Sequence, residues 1–403
     1  MRDRYRVLCV ATHPIQYAAP MFRHMAQHPK LDVQIAYCSL QGAEEGLDHE
    51  FGVKVKWDLP LLEGYPWVHV PNRSPWPRIG RFFGLINPGL WKLVRTGRYD
   101  ALVVYTGYMH ASFWIVAAAA KLRGISMLFA TDATAHAPRC GARWKVWVKK
   151  VVLPVVYRVA TVVLPGSAAG AEYLRSLGIP AERIVITPNV ADNEYWSKQA
   201  AEVDRAVARS ALGCADGEPM VLFCAKLQPW KRPQDLLRAF AKADVPGARL
   251  VIAGDGPMRA ELEAEAKTLN VAERVRFAGF LNQSEMPALY RSADIMVLPS
   301  EYDPCPFVVC EAMLCGCPVI LSDRIRGRRE LVRSGDTGFF YPCGDVGALG
   351  ETLRRALTDR HGLKQMSEAA RARMNTFSPR EYLEANIQAL ERAALLRQGR
   401  AWL

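Results

Sequence analysis

Asp303 and Glu311 stand eight positions apart around a bend, Asp303-Pro304-Cys305-Pro306, that separates the apolar runs 295–299 and 318–321. Ionised carboxylates only accept hydrogen bonds, and each can take two from a vicinal diol. Pro306 fits the first turn of a helix, where its missing N–H costs nothing. The N–H groups of Phe307, Val308 and Val309 would then face an anion, aided by the helix dipole. Lys226 and Lys231 follow another apolar run, 220–225, and offer countercharge. Phosphates next to sugar hydroxyls describe a nucleotide sugar. Other residues capable of chemistry also follow apolar runs: His13 and Gln16 in 12–17, Asp132 after 126–131, and Gly254-Asp255-Gly256 after 249–253. His136 is an alternative to Asp132 and His13, whereas His110 reads as structural.

Strands and helices alternate along the chain and place these residues. Strands are expected at 6–11, 33–38, 101–106, 126–131, 161–167 and 183–189, then at 220–226, 249–256, 275–280 and 294–300. Helices are expected between them. Continuous apolar runs separated by crossover helices indicate buried parallel strands. Two such series imply two doubly wound α/β domains, with ligands beyond the carboxyl ends of the strands in a cleft between facing strand ends. The expected division is 1–195, 196–375 and a C-terminal helix, 376–403, crossing back to the first domain. The weakly patterned stretch 189–204 reads as a linker.

Composition narrows the function classes. No GxGxxG follows the first strand and no GxxxxGK[ST] occurs, which disfavours ordinary NAD binding and P-loop hydrolysis. The 10 cysteines are scattered, mostly in apolar runs, and lack zinc-knuckle spacing, so neither a disulfide framework nor a metal site is expected. The start of the chain is too charged for a signal peptide, and no uncharged apolar run reaches membrane-spanning length. A cytoplasmic protein is expected. The net charge of +12 is uneven: residues 1–190 hold 23 Lys+Arg against 12 Asp+Glu, the remainder 29 against 28. A field of one sign on one half favours an anionic partner. Residues 139–158 concentrate it, with six basic residues, no acidic one, and Trp144, Trp147, Val148, Val151, Val152 and Val155 at helical spacing. That pattern suits an anionic membrane surface; an ordinary helix packed on its own sheet is the alternative.

The second half resembles the retaining GT-B glycosyltransferases of family 4, also called glycosyl transferases group 1. The resemblance rests on Asp303 and Glu311 at the family's acidic spacing, on Glu311-Ala-Met-Leu-Cys-Gly316-Cys-Pro318-Val, and on the basic pair Lys226 and Lys231. Gly254-Asp255-Gly256-Pro257, Phe277-Ala-Gly279, Glu330-Leu-Val and Asp336-Thr-Gly338 follow in family order. It implies a GT-B fold, a nucleotide-diphosphate sugar donor, a carbohydrate or lipid-linked acceptor, and transfer with retention and no metal or other cofactor. Lys226 and Lys231 would neutralise the diphosphate and Glu311 would accept from the ribose. Asp303 would orient the transferred sugar. Gln16, Gly254, Pro306, Phe307 and Val308 would line the donor, with the backbone at Phe280 and Leu281 against the base. Asp132 or His13 would serve the acceptor or the cationic sugar. No nucleic-acid partner is expected. An epimerase or phosphorylase of the same fold, or a non-catalytic nucleotide-sugar binder, are the alternatives. The chain departs from the family at Asp303, where glutamate is usual, at Pro304-Cys305-Pro306 in place of Gly-Phe-Gly, and at Lys226 in place of arginine. It also has Asp132 where a histidine is common.

Overall fold

The computed structural model describes residues 3–48, 53–134, 143–304 and 306–400. Fourteen strands occur among them: β1 Tyr5–Ala11, β2 Leu31–Tyr37, β3 Gly46–Asp48, β4 Val53–Val55, β5 Trp67–His69, β6 Ala101–Val104, β7 Ser126–Thr131, β8 Val162–Pro165, β9 Met220–Cys224, β10 Arg249–Ala253, β11 Val275–Gly279, β12 Ile295–Leu298, β13 Val319–Ser322 and β14 Gly338–Tyr341. The chain forms two compact units. The first comprises residues 1–45, 60–189 and 379–403; the second comprises 46–59 and 190–378.

The first unit holds a parallel sheet in the order β5-β2-β1-β6-β7-β8. The C-terminal helix Pro379–Arg400 belongs to it, although the second unit separates the two in sequence. Tyr382 on that helix meets Tyr105 hydroxyl to hydroxyl at 2.7 Å, and Arg392 donates to the Glu182 carbonyl at 3.3 Å. The helix Arg143–Val159 packs inward through Leu153, Val156 and Tyr157, with the Tyr157 ring 5.8 Å from that of Phe129.

The second unit holds another parallel sheet, β11-β10-β9-β12-β13-β14. Its strands β9, β10, β12 and β13 are apolar on both faces. Met220, Leu222 and Cys224 of β9 join one hydrophobic cluster, while Val221 and Phe223 join the other. Strand side chains alternate between faces, so only a continuous apolar run can serve two layers of helices. The antiparallel hairpin β3–β4 also belongs to this unit, although it lies in the first half of the sequence.

Two sequence expectations need correction. Residues 183–189 form no strand: Ile184 makes an isolated bridge to Val163, and Val185 and Thr187 donate to the carbonyls of Val163 and Pro165. The presumed linker contains a helix, Asn193–Glu202, whose N-cap Asp192 accepts from the Tyr195 N–H at 3.2 Å. Its apolar anchors are few, with Trp196 and Ala200 four apart and buried, so the helical period is hard to see in the sequence. The division expected between residues 195 and 196 falls inside this helix, and the units part between Asn189 and Val190.

Candidate active site

In the second unit the strand order runs outward in both directions from the β9–β12 pair, which makes that pair a topological switch point. Ligands of open parallel sheets sit beyond the carboxyl ends of the strands at such a point. Lys226 follows β9, Gly254 follows β10, Phe280 and Leu281 follow β11, and Asp303 follows β12. Four segments far apart in sequence thus emerge from neighbouring strand ends.

Lys231 and Asp303 meet directly. The chain turns through a short 3-10 turn, Pro229–Lys231, and Arg232 adopts a left-handed conformation with φ 51°. This brings the Lys231 Nζ to 2.5 Å from the Asp303 Oδ2. Their side chains are 18% and 8% exposed, so the pair is shielded from bulk water yet reachable. Lys231 is thus held by a carboxylate. Lys226 is half-buried beside the same strand ends.

Glu311 lies on the helix Phe307–Leu314 and is buried. Its Oε2 accepts from the Tyr290 hydroxyl at 2.9 Å, its single hydrogen bond among the described residues. Burial pushes its carboxyl up from 4.5 to about 7, and the Tyr290 bond opposes that shift. A carboxylate in apolar surroundings with one donor retains capacity for further hydroxyl donors. Pro306 precedes the helix as its N-cap, one place earlier than the first-turn position expected, and no side chain caps the helix start. Phe307 and Val308 open the helix and are half-buried. Cys305 lies outside the described residues.

Gly254 and Gly256 let the loop after β10 close on the loop after β9. Their φ values are +129° and +151°, and a Cβ on Gly254 would stand 2.0 Å from the Ala225 carbonyl oxygen. The Leu227 N–H donates to the Asp255 carbonyl at 2.9 Å. The glycines thus fix the path of the backbone that carries Lys226.

The residues after β11 are braced by residues 56–58, which follow β4 in the first half of the sequence. Asn282 donates to the Lys56 carbonyl at 2.8 Å and accepts from the Asp58 N–H at 3.3 Å. The Ser284 N–H and hydroxyl donate to the Asp58 carboxylate. The Trp57 ring lies 5.9 Å from that of Phe280. Tyr290 and Trp57 are the residues that sequence reasoning missed. Neither belongs to a motif, and each acquires its partner only through the fold.

In the first unit His13 and Gln16 occupy the bend after β1 and are half-buried. Asp132 follows β7, is exposed, and accepts from the Asn189 side-chain amide at 3.1 Å. A Cβ on Gly166 would come within 2.2 Å of that amide nitrogen, so the glycine makes room for the contact. His136 lies outside the described residues. His110 is buried, with its Nδ1 3.2 Å from the Arg81 carbonyl, and burial lowers its pKa. It is a structural residue, as the sequence suggests. The described cysteines are free, and among the described residues no group of three or more His, Cys, Asp or Glu converges as a metal site.

Two family models match successive parts of the chain: a glycosyl transferase 4-like domain over residues 14–190, and glycosyl transferases group 1 over residues 204–373. The chain belongs to the group 1 glycosyltransferases. A D-inositol 3-phosphate glycosyltransferase of Mycobacterium sp. (strain KMS) is 36% identical over 181 residues, which are 43% of this chain and 40% of that protein. The chain spans between 39% and 55% of the length of the curated relatives it matches. Anabaena HepE, solved in complex with UDP and glucose, superposes with a TM-score of 0.74 at 20% identity, covering 96% of this chain and 100% of HepE. WaaG, a glycosyltransferase involved in lipopolysaccharide biosynthesis, gives 0.65 at 16% identity, covering 94% and 99%. These likenesses establish the two-domain GT-B fold.

Several group 1 motif residues have structural work here. Gly316, at φ 78°, ends the helix that carries Glu311; a Cβ there would meet the Arg371 guanidinium at 2.4 Å. Gly338 opens β14, and a Cβ there would lie 2.4 Å from the Val319 carbonyl oxygen. The Glu330 carbonyl accepts from Arg373, and the Thr337 hydroxyl accepts from the Arg333 N–H at 2.8 Å.

Proposed function

We propose that the protein is a retaining, metal-independent hexosyltransferase. It moves a sugar from a nucleotide-diphosphate sugar to an acceptor hydroxyl, in polysaccharide, glycolipid or glycoconjugate synthesis. The observation that carries this reading is the Lys231–Asp303 pair, with the sparsely bonded carboxyl of Glu311 on the helix that follows the same loop: a cation for phosphate and two acceptors for hydroxyls after one switch-point strand. In this reading Lys226 and Lys231 neutralise the diphosphate, Glu311 accepts from the ribose, and Asp303 accepts from the transferred sugar. The backbone at Phe280 and Leu281 faces the base, and Pro306, Phe307 and Val308 border the phosphates. His13, Gln16 and Asp132 of the first unit are candidates for the sugar and the acceptor.

The bond from the anomeric carbon to the leaving phosphate oxygen breaks, and its electron pair stays on the phosphate. The acceptor oxygen bonds to the same face of the carbon and gives its proton to that phosphate. No protein nucleophile or resident metal is required, because fixed lysine charge balances the charge that develops. Holding both substrates in line supplies a further part of the acceleration. The HepE complexes contain UDP and UDP-glucose, so a uridine donor is the first to test. The acceptor is a carbohydrate or a lipid-linked hydroxyl compound, met by a cytoplasmic protein at the inner face of an anionic membrane.

Release of nucleoside diphosphate from UDP-, GDP- and ADP-hexoses, with acceptor present, tests the reading. Wild type should release one of them and form a product linked to the acceptor. Lys231→Ala should lower kcat/KM by about 2–4 kcal/mol, with kcat reduced as well as KM raised. Isomerised sugar without transfer, or an unchanged kcat in the variant, would contradict it.

A further inference from the structure

Among the described residues the helix Arg143–Val159 carries apolar side chains on two faces, one of which packs in the core. Leu153, Val156 and Tyr157 are 3%, 2% and 0% exposed, packed in the core of the first unit. Val148, Val151, Val152, Val155 and Val159 are 39%, 56%, 45%, 62% and 39% exposed. At 3.6 residues per turn these five fall within an arc of about 100°. A row of outward valines on one helix exceeds the scattered single apolar residues that surfaces normally carry.

The charge around this row has one sign. From Ala133 to Ala171 the sequence contains no Asp or Glu, while Arg139, Arg143, Lys145, Lys149, Lys150 and Arg158 are all basic. Arg158 is exposed and projects about 80° from the centre of the valine row, on its outer border, whereas Lys149 is half-buried on the side of Leu153 and Val156. An isologous contact with a second copy would bring like charges together in this acid-free stretch. An anionic bilayer instead offers apolar depth for the valines and negative headgroups for the basic border.

We infer that the outer valine face of the helix Arg143–Val159 is a membrane-docking surface that seats on anionic lipid. This deepens the membrane part of the function proposed above and does not depend on the transfer chemistry. It would place the first unit beside a lipid-linked acceptor while the second unit keeps its donor residues.

Cosedimentation with vesicles tests it, using phosphatidylcholine alone and phosphatidylcholine mixed with phosphatidylglycerol, at low and high salt. Wild type should bind the mixed vesicles at low salt and lose binding at high salt. The double variant Val151→Asp/Val155→Asp replaces exposed residues and should lose at least about tenfold in vesicle affinity. Arg158→Glu should weaken binding to mixed vesicles while leaving the valines intact. Nucleoside diphosphate release from the donor in solution should stay at the wild-type level in both variants, which separates this test from that of the transfer reading. Three outcomes would overturn the inference. Wild type could fail to bind mixed vesicles at low salt, or the valine variant could bind as well as wild type. Sedimentation velocity could instead show a wild-type dimer that the valine variant dissolves, without vesicle binding.

Discussion

Glu311 carries an electrostatic cost that a ligand can remove. Its carboxyl is raised from 4.5 to about 7 mainly by burial, which corresponds to about 3 kcal/mol against ionisation. Because the folded value lies above the unfolded one, its contribution to stability is full below about pH 4.3 and is lost as pH rises through about 7. Glu311→Gln, which stays neutral, should remove this dependence, so wild type should lose stability relative to the variant across that window in denaturant titrations. Donor binding should run the other way. Ribose hydroxyls favour the ionised carboxylate, so wild-type affinity for a nucleotide-diphosphate sugar should rise as pH passes upward through about 7. Glu311→Gln should bind about 1.5–3 kcal/mol more weakly above that pH, with a flat profile. Matching pH profiles for wild type and variant in calorimetric titrations would remove Glu311 from the donor site.

The loops at the strand ends depend on glycines whose role is geometric. Gly254 has φ +129° and no space for a Cβ beside Ala225, whereas Gly335 has φ +84° and nothing within 4 Å. Gly335→Ala should therefore cost only the left-handed strain, about 1–2 kcal/mol. Gly254→Ala should cost about 2–4 kcal/mol, because strain and a backbone collision act together. Urea titration of both variants checks this, and equal losses would show that the approach to Ala225 is not close. The strand series itself was readable from sequence because β9, β10 and β12 must be apolar on both faces. The helix after Asp192 was not, since two buried residues make too thin a stripe. The hairpin β3–β4 was also hidden. It packs against 280–284 through Trp57 and Asp58, some 220 positions away, a pairing that no local pattern encodes.

At the scale of the whole chain, what the sequence revealed best was the set of residues at the strand ends of the second unit. Lys231, Asp303, Glu311 and Gly254 are fixed by local motif spacing, and a parallel sheet brings strand ends together whatever lies between them. Their partners were less legible: Tyr290 reaches Glu311 from another helix, and Asn189 reaches Asp132 across a glycine. The central claim is that the chain transfers a sugar with retention, using lysine charge in place of a metal. The most direct measurement is the anomeric configuration of the first-formed product, read by proton NMR during turnover in excess EDTA. An α-linked product from an α-linked donor, formed at an undiminished rate, is the expected result. A β-linked product, or turnover that stops in EDTA and returns with magnesium or manganese, would contradict it.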